Sequence, residues 1–359
     1  MSKPKVLIVL EDLKNYRDPI YQLIAEQVDL TVAYTFSTQI KESTYNIIQF
    51  PFIKIGKLII HKGVRKLYDQ FDAVILLPHF KLIWANHVLF TSNKFKTLVW
   101  SNGVHISYDR EYDLKLSPSF LDKVFEFLQN RANACIFYTR DTIDYWRKYK
   151  TIDENKYFVA HNTVKVEKIG TPQDYYDQKD SFLFVGTLYK QKGLDELIEA
   201  YAKANESNDN LPILNIVGGG AERILIEELI NSLRLSEKVK LVGPIYDEQI
   251  LSQYFKKAIL CLSPKQAGLS VLKSFGYGVP FVTRKNAITG GERNNIKNGY
   301  NGCFYNTIDE LSFILVDSVE NKEKYLKMSI NAYEYYNKNA TPENMAQGVV
   351  DAINYALSK

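Results

Sequence analysis

Lys192 follows an apolar strand and a glycine turn, Val185-Gly186-Thr187-Leu188, and precedes a helix start at Gly193-Leu194. Free amides at a helix start with one ammonium beside them suit a phosphate, since both turn positive charge toward it. Taken alone, the fragment serves equally as a plain strand-to-helix loop with a solvated lysine. A second turn, Val217-Gly218-Gly219-Gly220, permits close backbone approach or positive φ, or simply a flexible lead into a helix from Glu222. It departs from G-x-G-x-x-G and lacks a P-loop Lys-Ser/Thr, which disfavours a dehydrogenase and a nucleotide hydrolase. The richest segment runs from Leu262 to Pro280. A strand ends at Ser263, and Gly268 leaves the amides of Gly268, Leu269 and Ser270 open at the next helix start. A diphosphate there meets the positive helix end and no side chain at Gly268.

Other candidates stand at strand ends in the first half. Arg17, in the loop after the first strand, reads as a cation that completes a phosphate clamp or as a surface arginine. Asn102-Gly103 closes another strand, and His105 supplies an imidazole there or is a satisfied loop histidine. Glu292, after Gly290-Gly291, is a candidate carboxylate acceptor at the next strand's loop. Lys54, Lys57, Lys62, Arg65 and Lys66 interleave with Ile53, Ile55, Leu58, Ile59 and Ile60. That mixture suits an anionic membrane surface, or a strand and loop with solvated lysines.

These groups need a scaffold, and the apolar pattern supplies one. Short Val/Ile/Leu runs alternate with amphipathic stretches: Val6 to Leu10, Leu30 to Tyr34, Ala73 to Leu77, Leu98 to Trp100 and Ala134 to Tyr138 in the first half. Strands at Phe182, Ile213, Val239, Ile259 and Phe281 alternate with helices in the second. Continuous apolar runs separated by helices imply parallel, doubly wound sheets, whose ligands bind at the carboxyl ends of the strands. The 359 residues exceed what one core usually serves. The polar, breaker-containing stretch around Gly170 and Pro172 divides them into a Rossmann-like domain over 1–165, a linker over 166–180 and a second such domain over 181–338. A closing helix over 339–359 carries an N-cap and first-turn proline at Thr341-Pro342.

Composition narrows the classes. Lys plus Arg number 45 against 41 Asp plus Glu, a net +4 too mild to argue for nucleic acid. Cys135, Cys261 and Cys303 stand singly, as reduced packing residues of a cytoplasmic protein do. No run of eighteen uncharged apolar residues appears, so the expected localisation is cytoplasmic, with any membrane contact peripheral, at the inner face.

In order and spacing, Val185-Gly186-Thr187-Leu188 with Lys192-Gly193, the Gly218 triplet, Val242-Gly243, Ser263-Pro264, Gly268-Leu269, Gly278-Val279-Pro280 and Gly299-Tyr300-Asn301-Gly302 resemble the carboxyl half of family 4 glycosyltransferases. The first half is similar more loosely, through Tyr16-Arg17-Asp18-Pro19, Trp100-Ser101-Asn102-Gly103 and Phe158-Val159-Ala160-His161-Asn162-Thr163. The resemblance implies an α/β GT-B architecture, two doubly wound domains facing across a cleft, with the donor in the second, the acceptor in the first and the last helix crossing back. It implies Lys192 and the Gly268 helix start on the donor diphosphate, and the loop from Gly243 through Pro244 to Tyr246 beside the nucleobase. The acceptor would meet Asn102, Gly103 and His105.

Three departures from the family pattern involve four positions. Lys265 and Lys273 replace two glutamates eight residues apart, and lysine donates hydrogen bonds but cannot accept them. Thr187 replaces an arginine that partners Lys192, a loss that Lys265 or Lys273 could restore; alternatively Lys265 pairs with an acidic sugar. Asn102 replaces a histidine. The implied activity is retaining transfer from a nucleotide-diphosphate sugar to a glycan or lipid-linked acceptor, in surface-polysaccharide assembly, without cofactor or essential metal. The rivals are a sugar-nucleotide epimerase or phosphorylase on the same fold, and a non-catalytic, transferase-like subunit.

Overall fold

A computed structural model describes residues 2–56, 58–78, 82–104, 117–149 and 152–359. Lys57 and His105, both singled out above, lie outside the described residues. The chain divides into two compact units, Met1–Val164 with Thr341–Lys359, and Lys165–Ala340.

The first unit contains β1 (Lys5–Leu13), α1 (Asp18–Ala25), β2 (Asp29–Thr38), β3 (Asn46–Gln49), β4 (Phe52–Ile55), β5 (Leu58–His61), α2 (Val64–Tyr68) and β6 (Ala73–Leu76). It continues through α3 (Ile83–Asn86), β7 (Lys96–Ser101), α4 (Phe120–Asn130), β8 (Ala134–Phe137), α5 (Asp141–Arg147) and β9 (Tyr157–Val159). Seven of these strands form one parallel sheet in the order β3-β2-β1-β6-β7-β8-β9. Along β1, Val6 and Ile8 enter one apolar cluster while Leu7 and Val9 enter another, so the strand is buried on both faces. That is why its sequence is a continuous apolar run rather than an alternation. Strands β4 and β5 stand apart as an antiparallel ribbon.

The second unit opens with α6 (Pro172–Tyr175), β10 (Ser181–Val185), α7 (Leu194–Ser207), β11 (Ile213–Val217), α8 (Arg223–Ser232), β12 (Val239–Gly243) and α9 (Glu248–Lys257). It then runs through β13 (Ala258–Leu262), α10 (Ser270–Gly276), β14 (Phe281–Arg284), β15 (Gly302–Tyr305), α11 (Ile308–Glu320) and α12 (Lys322–Asn339). Its six strands are parallel in the order β12-β11-β10-β13-β14-β15. Phe182 and Phe184 pack on one side of this sheet and Leu183 on the other. Residues 166–180, expected as a linker, are counted with this unit: Pro172 and Tyr175 are buried, and the Tyr175 hydroxyl donates to the carbonyl of Tyr277 at 2.8 Å.

The chain then re-enters the first unit as α13 (Pro342–Ser358). The Thr341 side chain accepts the Asn344 amide, and the Asn344 side chain returns to the Thr341 backbone, closing a capping box at the start of the helix. Met345, Val349 and Ile353 enter the β1 cluster. A Cβ on Gly348 would stand 2.2 Å from the Val159 carbonyl oxygen, so helix and strand meet at backbone distance there.

Each sheet reverses its order of growth once. In the second unit the chain adds β11 and β12 on one side of β10, then places β13 on the other. In the first unit the same reversal falls between β1 and β6. Loops on either side of such a switch point diverge and leave a crevice at the carboxyl ends of the strands. The loops after β10 and β13, at the second switch point, carry Lys192 and Gly268.

Candidate anion-binding site

Lys192 ends a short 3-10 turn, Lys190–Lys192, and Gly193 reverses the chain into α7 with a left-handed φ of 69°. Its side chain is only 9% exposed, and a Cβ on Gly186 would stand 3.6 Å from its Nζ. The ammonium therefore lies beside the α-carbon of Gly186, at ordinary contact distance from where a side chain would begin. Among the described residues no carboxylate comes within ion-pair distance of Lys192. Burial lowers its pKa, the nearby Cys261 opposing the shift. Cys261 itself is a buried thiol pushed up to about 12 by desolvation, and so remains uncharged. A buried ammonium without a counter-ion is a costly arrangement that an anion would relieve.

The loop after β13 is fastened to Lys192. The Lys265 amide donates to the Lys192 carbonyl at 3.2 Å, and the Tyr189 hydroxyl bonds Gln266 Oε1. At the far end of this loop a Cβ on Gly268 would meet nothing within 4 Å, α10 begins without a side-chain cap, and the Ser270 hydroxyl is buried with no hydrogen-bond partner. Gly186, Lys192, Gly268, Leu269 and Ser270 thus lie on the two loops that flank the switch point.

Lys265 and Lys273 are already matched. Lys265 Nζ lies 3.5 Å from Asp195 and 3.8 Å from Glu196, its stem resting on Gly193, where a Cβ would approach its Cγ to 2.6 Å. Glu196 also takes Arg284 Nε at 2.6 Å and the Tyr305 hydroxyl at 2.8 Å. Two cations therefore face two carboxylates, which leaves Lys192 as the buried surplus charge. Lys273 pairs with Glu248 at 2.7 Å. The expectation that either lysine restores the cation missing at Thr187 differs from this geometry, because each spends its charge on a carboxylate of the chain. Thr187 is exposed. Glu248, the partner of Lys273, was not singled out from sequence, since a contact between α9 and α10 has no local signal.

The glycine triplet makes the close backbone approach that three glycines permit, and makes it to the chain itself. A Cβ on Gly218, whose φ is 153°, would fall 1.9 Å from the Gly186 carbonyl oxygen, and one on Gly220 would fall 2.2 Å from that of Leu188. The Leu188 amide donates to the Gly219 carbonyl at 3.0 Å, and the Gly186 amide to that of Val217 at 3.0 Å. The triplet lets two loops of the chain meet and so holds the Gly186 turn in place. Gly243, with φ of 94°, turns the chain after β12 into Pro244 and Tyr246, the latter 93% exposed. Glu292, offered above as an acceptor, is buried and takes the Gly290 amide at 3.0 Å, closing its own turn.

In the first unit Arg17 sits between the rings of Tyr16, Tyr138 and Trp100, its guanidinium carbon 5.3, 5.3 and 6.0 Å from the centroids. One nitrogen donates to Asn162 Oδ1 at 2.6 Å, and no carboxylate pairs with it among the described residues. Asn162 lies in the segment after β9 and holds Arg17 in place. Asn102 and Gly103 are spent on α5: the Asn102 carbonyl accepts the Thr142 hydroxyl, and the Gly103 carbonyl accepts Trp146 Nε1, both at 3.0 Å. A Cβ on Gly103, at φ of 76°, would strike Thr142 at 2.2 Å, which gives this glycine a packing reason of its own.

Residues 167–335 match the family described as glycosyl transferases group 1. That span is the second unit almost entire, with Lys192, the glycine triplet and the Gly268 loop inside it. Over 153 residues the chain is 24% identical to an alpha-monoglucosyldiacylglycerol synthase of Acholeplasma laidlawii, covering 42% of this chain and 37% of that protein. The chain spans between 24% and 52% of the length of the curated relatives it matches. Among solved structures it is similar to HepE of Anabaena in complex with UDP, with a TM-score of 0.72 and 16% identity over 98% of this chain and 99% of that one. It is also similar to WaaB, a lipopolysaccharide outer core galactosyltransferase, with a TM-score of 0.65 and 15% identity over the same shares. The fold is GT-B, built of two Rossmann-like units.

Proposed function

We propose that the chain is a retaining glycosyltransferase that moves a sugar from a nucleotide-diphosphate donor to a glycan or lipid-linked acceptor in cell-surface polysaccharide assembly. The observation that carries this reading is Lys192, a buried ammonium with no carboxylate beside it, set at the switch point of a sheet whose domain matches group 1 glycosyltransferases. A diphosphate seated on Lys192 and the open Gly268 turn gains charge as the sugar departs. Groups already aimed at that charge stabilise the transition state more than the ground state. The departing phosphate takes the acceptor proton, so the reading needs no separate protein base. The UDP complex of the similar HepE structure supports a uridine nucleotide as the first donor to try. The lipopolysaccharide enzyme WaaB supports a surface glycan as acceptor.

Among the described residues no cluster of three or more His, Cys, Asp or Glu could hold a metal ion, and the reaction is proposed to run without one. A thermal-shift panel of nucleoside diphosphates and their sugars tests the reading. Binding to the native state alone raises the midpoint, by about 2.7 kcal/mol of stabilisation at a hundredfold excess over Kd. A shift with one nucleotide series, followed by EDTA-insensitive transfer from its sugar, is the expected result. No shift across the panel would leave a non-catalytic subunit as the better account.

A further inference from the structure

The β4–β5 ribbon carries an aliphatic face that stays largely uncovered among the described residues. Its register pairs Ile53 with Ile60 and Ile55 with Leu58, which puts all four side chains on one face. On the opposite face Ile59 and His61 are buried while Lys54, the cross-strand partner of Ile59, is exposed; His61 packs on Phe50 at 4.4 Å, and burial pushes its pKa down to about 4. Ile53, Ile55 and Leu58 are 46%, 58% and 54% exposed and belong to none of the apolar clusters. Cations surround them. Lys54, Lys62 and Lys66 are exposed, and among the described residues none has an ion-pair partner; Arg65 does, Asp69 at 3.2 Å. Trp84, 47% exposed, lies on α3, which packs beside β5.

We infer that this ribbon docks on an anionic lipid surface. Branched aliphatics at the tip enter the acyl boundary, an indole sits at headgroup depth, and ammonium groups on long stems reach the phosphates, a division of labour that lipid interfaces select. The charge decides the occupant: a self-complementary contact between two copies would bring like-charged lysines together, whereas an anionic bilayer matches them. The inference rests on the ribbon alone and stands whether or not the second unit binds a nucleotide.

The experiment is flotation of the full chain with vesicles of phosphatidylcholine, and of phosphatidylcholine mixed with phosphatidylglycerol. The wild type is expected to float with the mixed vesicles and not with the neutral ones. Lys54→Glu/Lys62→Glu/Lys66→Glu should weaken binding by roughly a hundredfold or more, since each reversal removes one lysine's surface attraction and adds a repulsion. Ile55→Asn/Leu58→Asn should abolish it while the melting midpoint and any nucleotide-induced shift stay unchanged, since the replaced side chains are exposed. Failure of the wild type to float, equal flotation of both variants, or a dimer that dissociates in the Ile55/Leu58 variant would each overturn the inference.

Discussion

Lys273 Nζ lies 2.7 Å from one carboxylate oxygen of Glu248, while the other oxygen accepts the Tyr277 hydroxyl at 2.7 Å. The pair ties the start of α9 to the middle of α10, directly behind the Gly268 turn. Lys273→Glu alone sets two carboxylates against each other and should cost about 1–2 kcal/mol in urea unfolding, a figure held down by the pair's partial exposure. Exchanging both, Lys273→Glu with Glu248→Lys, should recover most of it. A loss in the double variant equal to the sum of the two single losses would mean that the two residues are uncoupled.

Lys192→Met keeps the side chain's bulk and removes the unmatched charge. The unliganded protein should melt no lower than wild type, because a buried cation without a partner contributes nothing favourable. Nucleoside diphosphates should no longer shift its midpoint, and transfer should fall by about a hundredfold or more. Retention of the ligand shift would place the anion elsewhere.

Two glycines of the site should answer differently to alanine. Gly218→Ala drives a methyl into the Gly186 carbonyl at a left-handed φ, and should destabilise the second unit by about 2–4 kcal/mol. Gly268→Ala meets open space and should leave stability within about 0.5 kcal/mol, yet weaken diphosphate binding measured by calorimetry. If Gly268→Ala bound the nucleotide as wild type does, the anion would not lie over that turn.

Lys179 offers a pH test in the second unit. Its amine donates to the Ala258 carbonyl and lies 5.3 Å from the Tyr175 ring centroid, and burial pushes it down to about 7. Between that value and the ordinary lysine range the unfolded chain holds more protons than the folded one, so this residue's contribution to stability rises with pH. Below about 7 both states are protonated and the full burial cost is present. Unfolding free energies of wild type and Lys179→Met, compared at pH 7 and pH 9, should therefore move toward wild type by about 1 kcal/mol or more. A difference that stays flat would show the amine to be unperturbed.

Much of the scaffold was legible because it is written locally. The strand Ile213–Val217 and the helix Glu248–Lys257 fall where apolar runs and caps place them. Others, such as Leu194–Ser207, differ only at an end, where helices fray. The long helix Lys322–Asn339 went unread: its mean composition is polar and rich in tyrosine, and its buried face rests on Tyr325, Met328 and Tyr336 rather than on an aliphatic stripe. In the site, Lys192 and Gly268 could be found because strand-end loops precede helix starts in the sequence itself. The partners of Lys265 and Lys273 could not, since Glu196 and Glu248 reach them from other helices. Nor could the purpose of the Gly218 triplet be read, because close approach to a ligand and close approach to the chain's own backbone demand the same residue.

The return of α13 to the first unit makes that unit discontinuous in the chain, while the second is written as one uninterrupted segment. During synthesis the second unit has all its parts before the first has its last helix. Until residues 341–359 leave the ribosome, the apolar side of β7, β8 and β9 that Met345, Val349 and Ile353 will cover stays wet. Nascent chains should therefore show protease resistance first in the interior segment, and the oldest part of the polypeptide should be the last to mature.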